Sequence, residues 1–97
     1  MRKTLHSEQY GIFLELLKEA RLAAGVTQVE LAARLGVEQS VVSKCERGAR
    51  RLDAVELHEW LRGLNTDAPQ FVTALFDRLD ARLVVARAGR RVKRRPG

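Results

Sequence analysis

Apolar residues recur along the first part of the chain at intervals of three and four, which is the spacing of one helix face. The first such stripe consists of Tyr10, Phe13, Leu14, Leu17, Ala20 and Ala24. Ser7 precedes it as a candidate N-cap, and Gly25 follows it as a residue that ends helices. The pattern therefore predicts a first helix between about Ser7 and Gly25.

Two short helices are predicted next. Thr27 and Glu30 form a T-x-x-E capping box, which opens a helix that Gly36 ends. A third helix is predicted from about Glu38 to Arg47, with Gly48 after it. Two helices of this length joined by a short turn are typical of a helix-turn-helix.

Two further helices complete the predicted fold. Asp53 caps a fourth helix, whose apolar stripe consists of Ala54, Leu57, Trp60, Leu61 and Leu64. A fifth is predicted from Ala68 to Ala88, with an apolar side formed by Phe71, Val72, Leu75, Phe76, Leu79, Leu83 and Ala86. The fold class is thus all-α, with a core in residues 1–66, a C-terminal helix in 67–88 and a disordered basic tail in 89–97.

Composition adds a hypothesis about the partner. The 97 residues suffice for one modest core, and the net charge of +6 with a pI near 10.4 suggests nucleic acid or an anionic membrane surface. Residues 90–95 supply five of the 18 basic residues, so the rest of the chain has 13 basic residues against 12 acidic ones. A binding face must therefore come from local clustering of charge.

Other features narrow the possible functions. Cys45 is the single cysteine and is expected to be a core residue rather than a redox switch. The absence of disulfides and of an apolar leader predicts a cytoplasmic location, and no apolar run approaches the ~20 residues of a membrane span. His6 and His58 are isolated from other ligand types, so no metal site is expected. No nucleophile is clustered with a base, so we expect neither an enzyme nor a cofactor.

A series of short motifs, all in register, resembles the Cro/CI-type helix-turn-helix (XRE) family of small bacterial and phage regulators. The motifs are Leu17–Arg21, Thr27–Gln28, Leu31–Ala32, Leu35–Val37, Ser43–Lys44 and Glu46–Gly48. The resemblance covers residues 13–64 and implies a lambda-repressor-like fold that binds double-stranded DNA. Leu52 departs from it where the family often has a proline, and Cys45 replaces a larger apolar residue.

The resemblance also implies roles for individual residues. Gln39, Ser40 and Lys44 would contact base edges in the major groove, where glutamine suits adenine and lysine suits guanine. Arg21 and Glu46 would form a structural ion pair. The residues expected to contact phosphates are Gln28, Ser43, Arg47, Arg50 and Arg51.

Three functions are compatible with these sequence features. The main hypothesis is a transcriptional repressor that binds a palindromic operator as a homodimer, with the dimer interface formed by Phe71, Val72, Leu75, Phe76, Leu79 and Leu83. The alternative for this apolar stripe is the core of the protomer itself. An alternative is an antitoxin that also binds a toxin protein, and another is a helix-turn-helix that binds only protein. The basic cluster between Lys44 and Arg51 favours DNA, because a purely structural unit needs no positive charge there.

Overall fold

The computed structural model describes the backbone of residues 5–94 and the side chains of residues 7–85. Within this part of the chain there are five helices and no strand. The helices are α1 (Leu5–Ala23), α2 (Gln28–Leu35), α3 (Gln39–Glu46), α4 (Ala54–Gly63) and α5 (Ala68–Arg94). The predicted all-α fold of five helices is confirmed.

Capping boxes begin α2 and α4, as their sequences predict. The Thr27 hydroxyl accepts the Glu30 backbone N–H at 3.0 Å, and the Glu30 carboxylate accepts the Thr27 N–H at 2.9 Å. Asp53 and Glu56 form the same pair of bonds, at 2.8 and 3.0 Å. The bond from the Thr27 backbone N–H, and after it the neighbouring Thr27 side chain, lower the pKa of the Glu30 carboxyl. Each box satisfies backbone N–H groups that would otherwise lack partners.

Two glycines with positive φ bracket the helix-turn-helix. Gly36 has φ 72° and ends α2, and its backbone N–H bonds back to the carbonyls of Ala32 and Ala33. Gly48 has φ 80° and lies so close to α1 that a Cβ at this position would be 2.9 Å from the Leu14 Cδ1 atom. The first glycine permits the sharp turn between α2 and α3, and the second permits close contact between α1 and the segment after α3.

The core lies where all five helices meet. α2 packs on α3 and α4, α1 packs on α3 and α5, and α4 packs on α5. The buried apolar residues are Leu16, Leu17, Val26, Leu31, Ala32, Val42, Cys45, Trp60, Leu61, Leu64, Phe71 and Leu75. Cys45 has no exposed surface, so its predicted place in the core is confirmed. The elements before and after the helix-turn-helix thus complete the core that two short helices cannot form alone.

Two predicted helix boundaries were wrong. α1 already includes Leu5, so Ser7 lies inside the helix and is not its N-cap. α5 continues to Arg94, so residues 89–94 of the predicted tail are helical. Between Pro69, in the first turn of α5, and Pro96 no proline is present to end the helix. The rest of the tail and the side chain of His6 lie outside the described residues.

The predicted dimerisation residues divide into two groups. Phe71 and Leu75 are 4% and 8% exposed and belong to the protomer's own core, so their assignment to a dimer interface is corrected. Their burial follows from the packing of α1 on α5, where Phe13 meets Phe71 edge to face at 6.3 Å between ring centroids. The remaining four residues lie on the flank of α5: Val72 and Phe76 are exposed, and Leu79 and Leu83 are half-buried.

Candidate DNA-binding interface

Helix α3 has one exposed polar side and one buried apolar side. Residues 39, 40, 43, 44 and 47 fall within about 140° of the helix circumference, since each residue turns the helix by about 100°. Gln39, Ser40 and Lys44, the predicted base-contacting residues, are all exposed on this side. Val42 and Cys45 are fully buried on the opposite side. The packing of α3 therefore leaves its polar side free to contact another molecule.

A cluster of positively charged residues extends from the polar side of α3 into the loop before α4. Arg47 is exposed at the end of α3, and its Nε donates to the Ser43 hydroxyl at 3.3 Å. Lys44 is exposed one turn earlier, and Arg50 and Arg51 are exposed in the loop. Four of the five residues predicted to contact phosphates therefore lie in the second half of α3 or in the loop that follows it, and the fifth, Gln28, lies on α2.

Both loop arginines are held by side chains for which the sequence predicted no such contact. Arg50 Nη2 donates to Glu56 Oε2 at 2.6 Å, and its Nη1 lies 3.6 Å from the Cys45 sulfur. The Asp53 backbone N–H and then the Arg50 guanidinium lower the pKa of the Glu56 carboxyl, and Glu56 in turn raises the pKa of Arg50. Glu56, which closes the capping box of α4, therefore also orients Arg50, a candidate phosphate contact.

Arg51 is positioned by stacking. Its guanidinium carbon lies 4.1 Å from the centroid of the Tyr10 ring, a cation–π contact. The Tyr10 hydroxyl accepts the backbone N–H of Leu52 at 3.2 Å and so ties this loop to α1. The pattern of apolar residues placed Tyr10 on the core side of α1, and only the packing of α1 on the loop shows this second role.

Arg21 and Glu46 form the ion pair that the family resemblance implies. Arg21 Nε donates to Glu46 Oε2 at 2.6 Å, and Nη2 donates to Oε1 at 3.2 Å. The two side chains are 8% and 4% exposed. Arg21 Nη1 also donates to the Val26 carbonyl at 2.9 Å. The negative charge of Glu46, although it belongs to α3, is therefore neutralised inside the protein and does not lie against the polar side of the helix.

Gln28 links this ion pair to the exposed side of α3. Its Nε2 donates to Glu46 Oε1 at 3.0 Å, and its Oε1 accepts from Gln39 Nε2 at 2.7 Å. Gln28 is the first residue of α2, as predicted, but both ends of its amide are engaged within the protein. The second N–H of Nε2 is the part of this side chain that remains for a phosphate.

The comparisons with known proteins agree with this geometry. A family model described as a helix-turn-helix domain matches residues 12–88, which is most of the chain. No curated protein matches the chain by sequence. No helix among residues 5–94 is both long and apolar enough to cross a membrane. The fold and the exposed side of α3 define a DNA-binding protein of the helix-turn-helix class.

Solved structures identify the family. An XRE-family like protein from Pseudomonas syringae pv. tomato str. DC3000 is 51% identical, with a TM-score of 0.66 over 78% of this chain and 88% of its own. A point mutant of the restriction-modification controller protein C.Esp1396I is 26% identical, with a TM-score of 0.65 over 70% of this chain and 88% of its own. The wild-type controller, 23% identical, shares the fold, with a TM-score of 0.60 over 86% of this chain and 99% of its own. The chain belongs to the XRE family of DNA-binding transcription regulators.

Proposed function

We propose that this chain is a sequence-specific transcriptional repressor that binds a palindromic DNA operator as a homodimer and has no enzymatic activity. The observation that carries the proposal is the exposed side of α3, where Gln39, Ser40 and Lys44 are free of the protein's own core. A helix of this diameter fits the major groove, where each base pair presents a distinct pattern of donors and acceptors.

The charge around α3 supports the division between base and phosphate contacts. Lys44, Arg47, Arg50 and Arg51 supply positive charge beside the exposed side, and the Arg21 pair neutralises the one carboxylate of α3. Phosphate contacts hold the protein in register, whereas contacts with base edges determine which sequence is bound. Gln39 and Lys44 are the side chains that can discriminate between bases most strongly.

The dimer is proposed from the flank of α5. Val72, Phe76, Leu79 and Leu83 are spaced by four, three and four residues, which is the spacing of a coiled-coil seam. Phe76 is 58% exposed and Val72 is 37% exposed, so these two residues of the seam are open to a second copy. Leu79 packs in part against the protomer's own core. Two copies joined by this seam would present two α3 helices to one duplex, with half-sites about 34 Å apart.

The DNA hypothesis is tested by selection from random duplexes with purified protein at moderate salt, followed by affinity measurements on the selected duplex. Gln39→Ala and Lys44→Ala should each lose about 1–3 kcal/mol of discrimination at one base pair per half-site. Arg50→Ala should weaken binding to all sequences alike and reduce the salt dependence by about one phosphate contact. Equal losses on selected and random duplexes for all three variants would contradict the proposed roles.

The dimer is tested separately by sedimentation of the purified chain and of Phe76→Lys. Wild type should sediment as a dimer, and Phe76→Lys should shift toward monomer, since it places a charge in an apolar seam. Glu59→Lys, a change on the exposed surface of α4, is the matched control and should leave the dimer intact. A monomeric wild type that co-purifies with a small second protein would instead favour the antitoxin function.

A further inference from the structure

We propose that Glu46 is a positioning residue that determines which atoms of Gln39 face the DNA, and that it thereby sets a preference for adenine at the base pair Gln39 contacts. This inference rests on the proposed function and deepens it. It assigns part of the sequence specificity to a buried carboxylate that does not itself reach the DNA.

The buried carboxylate of Glu46 sets the first orientation in this series. Glu46 is held in place by Arg21, whose Nε lies 2.6 Å from Oε2, and its side chain is 4% exposed. A carboxylate offers only acceptors, so the atom of Gln28 that lies 3.0 Å from Oε1 must be the amide nitrogen. The amide oxygen of Gln28 is then directed to its other neighbour, which is Gln39. The charge of Glu46 therefore fixes the orientation of the Gln28 amide.

The orientation of the Gln28 amide determines that of the Gln39 amide. Because Gln28 presents its oxygen, Gln39 must present a donor, and its Nε2 lies 2.7 Å from that oxygen. One N–H of Gln39 is used in this bond. The second N–H and the amide oxygen remain available on a side chain that is exposed to solvent. Gln39 thus offers one donor and one acceptor with an orientation that the protein has already set.

A donor beside an acceptor is the complement of adenine in the major groove. Adenine presents the acceptor N7 and the amino donor N6, so the free N–H and the oxygen of Gln39 can bond both. Guanine presents two acceptors, N7 and O6, and the Gln39 oxygen would face O6 without a hydrogen between them. The orientation imposed by Glu46 therefore favours adenine over guanine.

Glu46→Gln should invert every amide in this series. The shorter Arg21 bond, from Nε to Oε2 at 2.6 Å, should keep an oxygen at that position, and the longer bond from Nη2 to Oε1 at 3.2 Å should be lost. The new amide nitrogen then takes the position of Oε1, facing Gln28. Gln28 must then turn its oxygen toward residue 46 and its nitrogen toward Gln39, which turns its own oxygen inward. The adenine contact is lost, because the oxygen of Gln39 now lies where its N–H would have met N7.

The experiment first uses Gln39→Ala to find the base pair at which Gln39 discriminates. The affinity of the full chain is then measured for the selected duplex and for three further duplexes, each with one of the other three base pairs at that position. Wild type should prefer adenine over guanine roughly 5- to 150-fold, the range for one bidentate contact. In Glu46→Gln this ratio should fall below about 3-fold. Glu59→Gln makes the same chemical change at an exposed carboxylate of α4, outside the amide series and the DNA interface, and it should keep the wild-type preference.

A second variant tests the middle of the series without disturbing the buried ion pair. Gln28→Met removes the amide between Glu46 and Gln39 at a half-buried surface position, and it should also reduce the preference for adenine. Thermal unfolding of each variant shows whether it is folded. If Glu46→Gln does not fold, the result for Gln28→Met decides the question.

The possible outcomes separate this inference from the function on which it rests. A folded Glu46→Gln that retains the adenine preference, or that loses affinity equally for all four base pairs, would overturn the positioning role, since a merely structural role predicts a uniform loss. An unchanged preference in Gln28→Met would overturn it too. If Gln39→Ala changes the preference at no base pair, base reading by Gln39 itself fails, and the inference fails with it.

Discussion

The buried pair between Arg21 and Glu46 should contribute to the stability of the domain chiefly through the cost of breaking it. The Glu46 side chain is 4% exposed, and in Arg21→Met its carboxylate would keep the bond from the Gln28 amide but lose both bonds from the guanidinium. The substitution also removes the donor to the Val26 carbonyl. An unpaired buried charge of this kind costs about 3–5 kcal/mol. Glu46→Met, which strands the guanidinium instead, should cost a similar amount.

Replacing both partners should cost much less than the two single changes together. A well-packed apolar pair can substitute for a buried ion pair at little net cost, because neither charge then has to be desolvated. The Val26 carbonyl still loses its donor in Arg21→Met/Glu46→Met, which adds about 1–3 kcal/mol. The double variant should therefore lose about 1–3 kcal/mol, and the coupling between the two positions should exceed about 2 kcal/mol.

Urea denaturation followed by the fluorescence of Trp60 measures these differences. Trp60 is the single tryptophan of the chain and is 2% exposed, so unfolding transfers it from the core to water. A domain of this length has about 5–15 kcal/mol of stability, so each single variant loses a large share of the total. Single losses below about 1 kcal/mol, or a double variant that loses the sum of both, would show that the two charges do not depend on each other.

Three further predictions concern a backbone conformation, the two aromatic residues of α5 and a surface ion pair. Gly48→Ala should lower the free energy of unfolding by about 1–3 kcal/mol, because φ is 80° and the new Cβ would meet Leu14. Gly11→Ala, in open space within α1, should raise it by about 0.5–1 kcal/mol. Urea unfolding measures both variants, and equal effects would contradict the structure. Phe71→Ala should lose about 3–5 kcal/mol of stability. Phe76→Ala, at an exposed position, should change the stability of the protomer by less than about 1 kcal/mol and weaken the dimer, and the reverse ranking by unfolding at low protein concentration would place the wrong aromatic in the core. The Arg78 hydrogen bond lowers the pKa of Glu19 in the folded protein. The stability from this bond is therefore present above the carboxyl's unfolded pKa and is lost as the pH falls through its lower folded pKa. Glu19→Gln should lose less melting temperature on acidification than wild type, and identical acid profiles would argue against this contribution.

Local signals in the sequence were sufficient for the order and number of the helices. Thr27 with Glu30 predicted the start of α2, Gly36 predicted its end, and Asp53 predicted the start of α4, because each feature acts through backbone groups within four residues of itself. The start of α1 and the end of α5 were misplaced. Ser7 is a good N-cap by residue type, but the helix begins before it, and no residue between 89 and 94 carries a signal strong enough to end α5.

Contacts between helices could not be predicted in the same way. An apolar stripe shows which side of α5 is covered, but not which neighbour covers it, so Phe71 and Phe76 were assigned to one interface although only Phe76 is exposed. The contacts of Glu56 with Arg50 and of Tyr10 with Arg51 depend on where the loop before α4 lies. The bond between Gln28 and Gln39 likewise depends on the approach of α2 to α3.

The most direct measurement is a methylation-interference footprint on the duplex that the protein selects. If α3 enters the major groove, methyl groups on guanine N7, which lies in that groove, should block binding in two clusters about 34 Å apart. Methyl groups on adenine N3, in the minor groove, should not block binding within these clusters. Interference confined to adenine N3, or binding that no methyl group affects, would contradict the assignment of α3 as the helix that reads DNA.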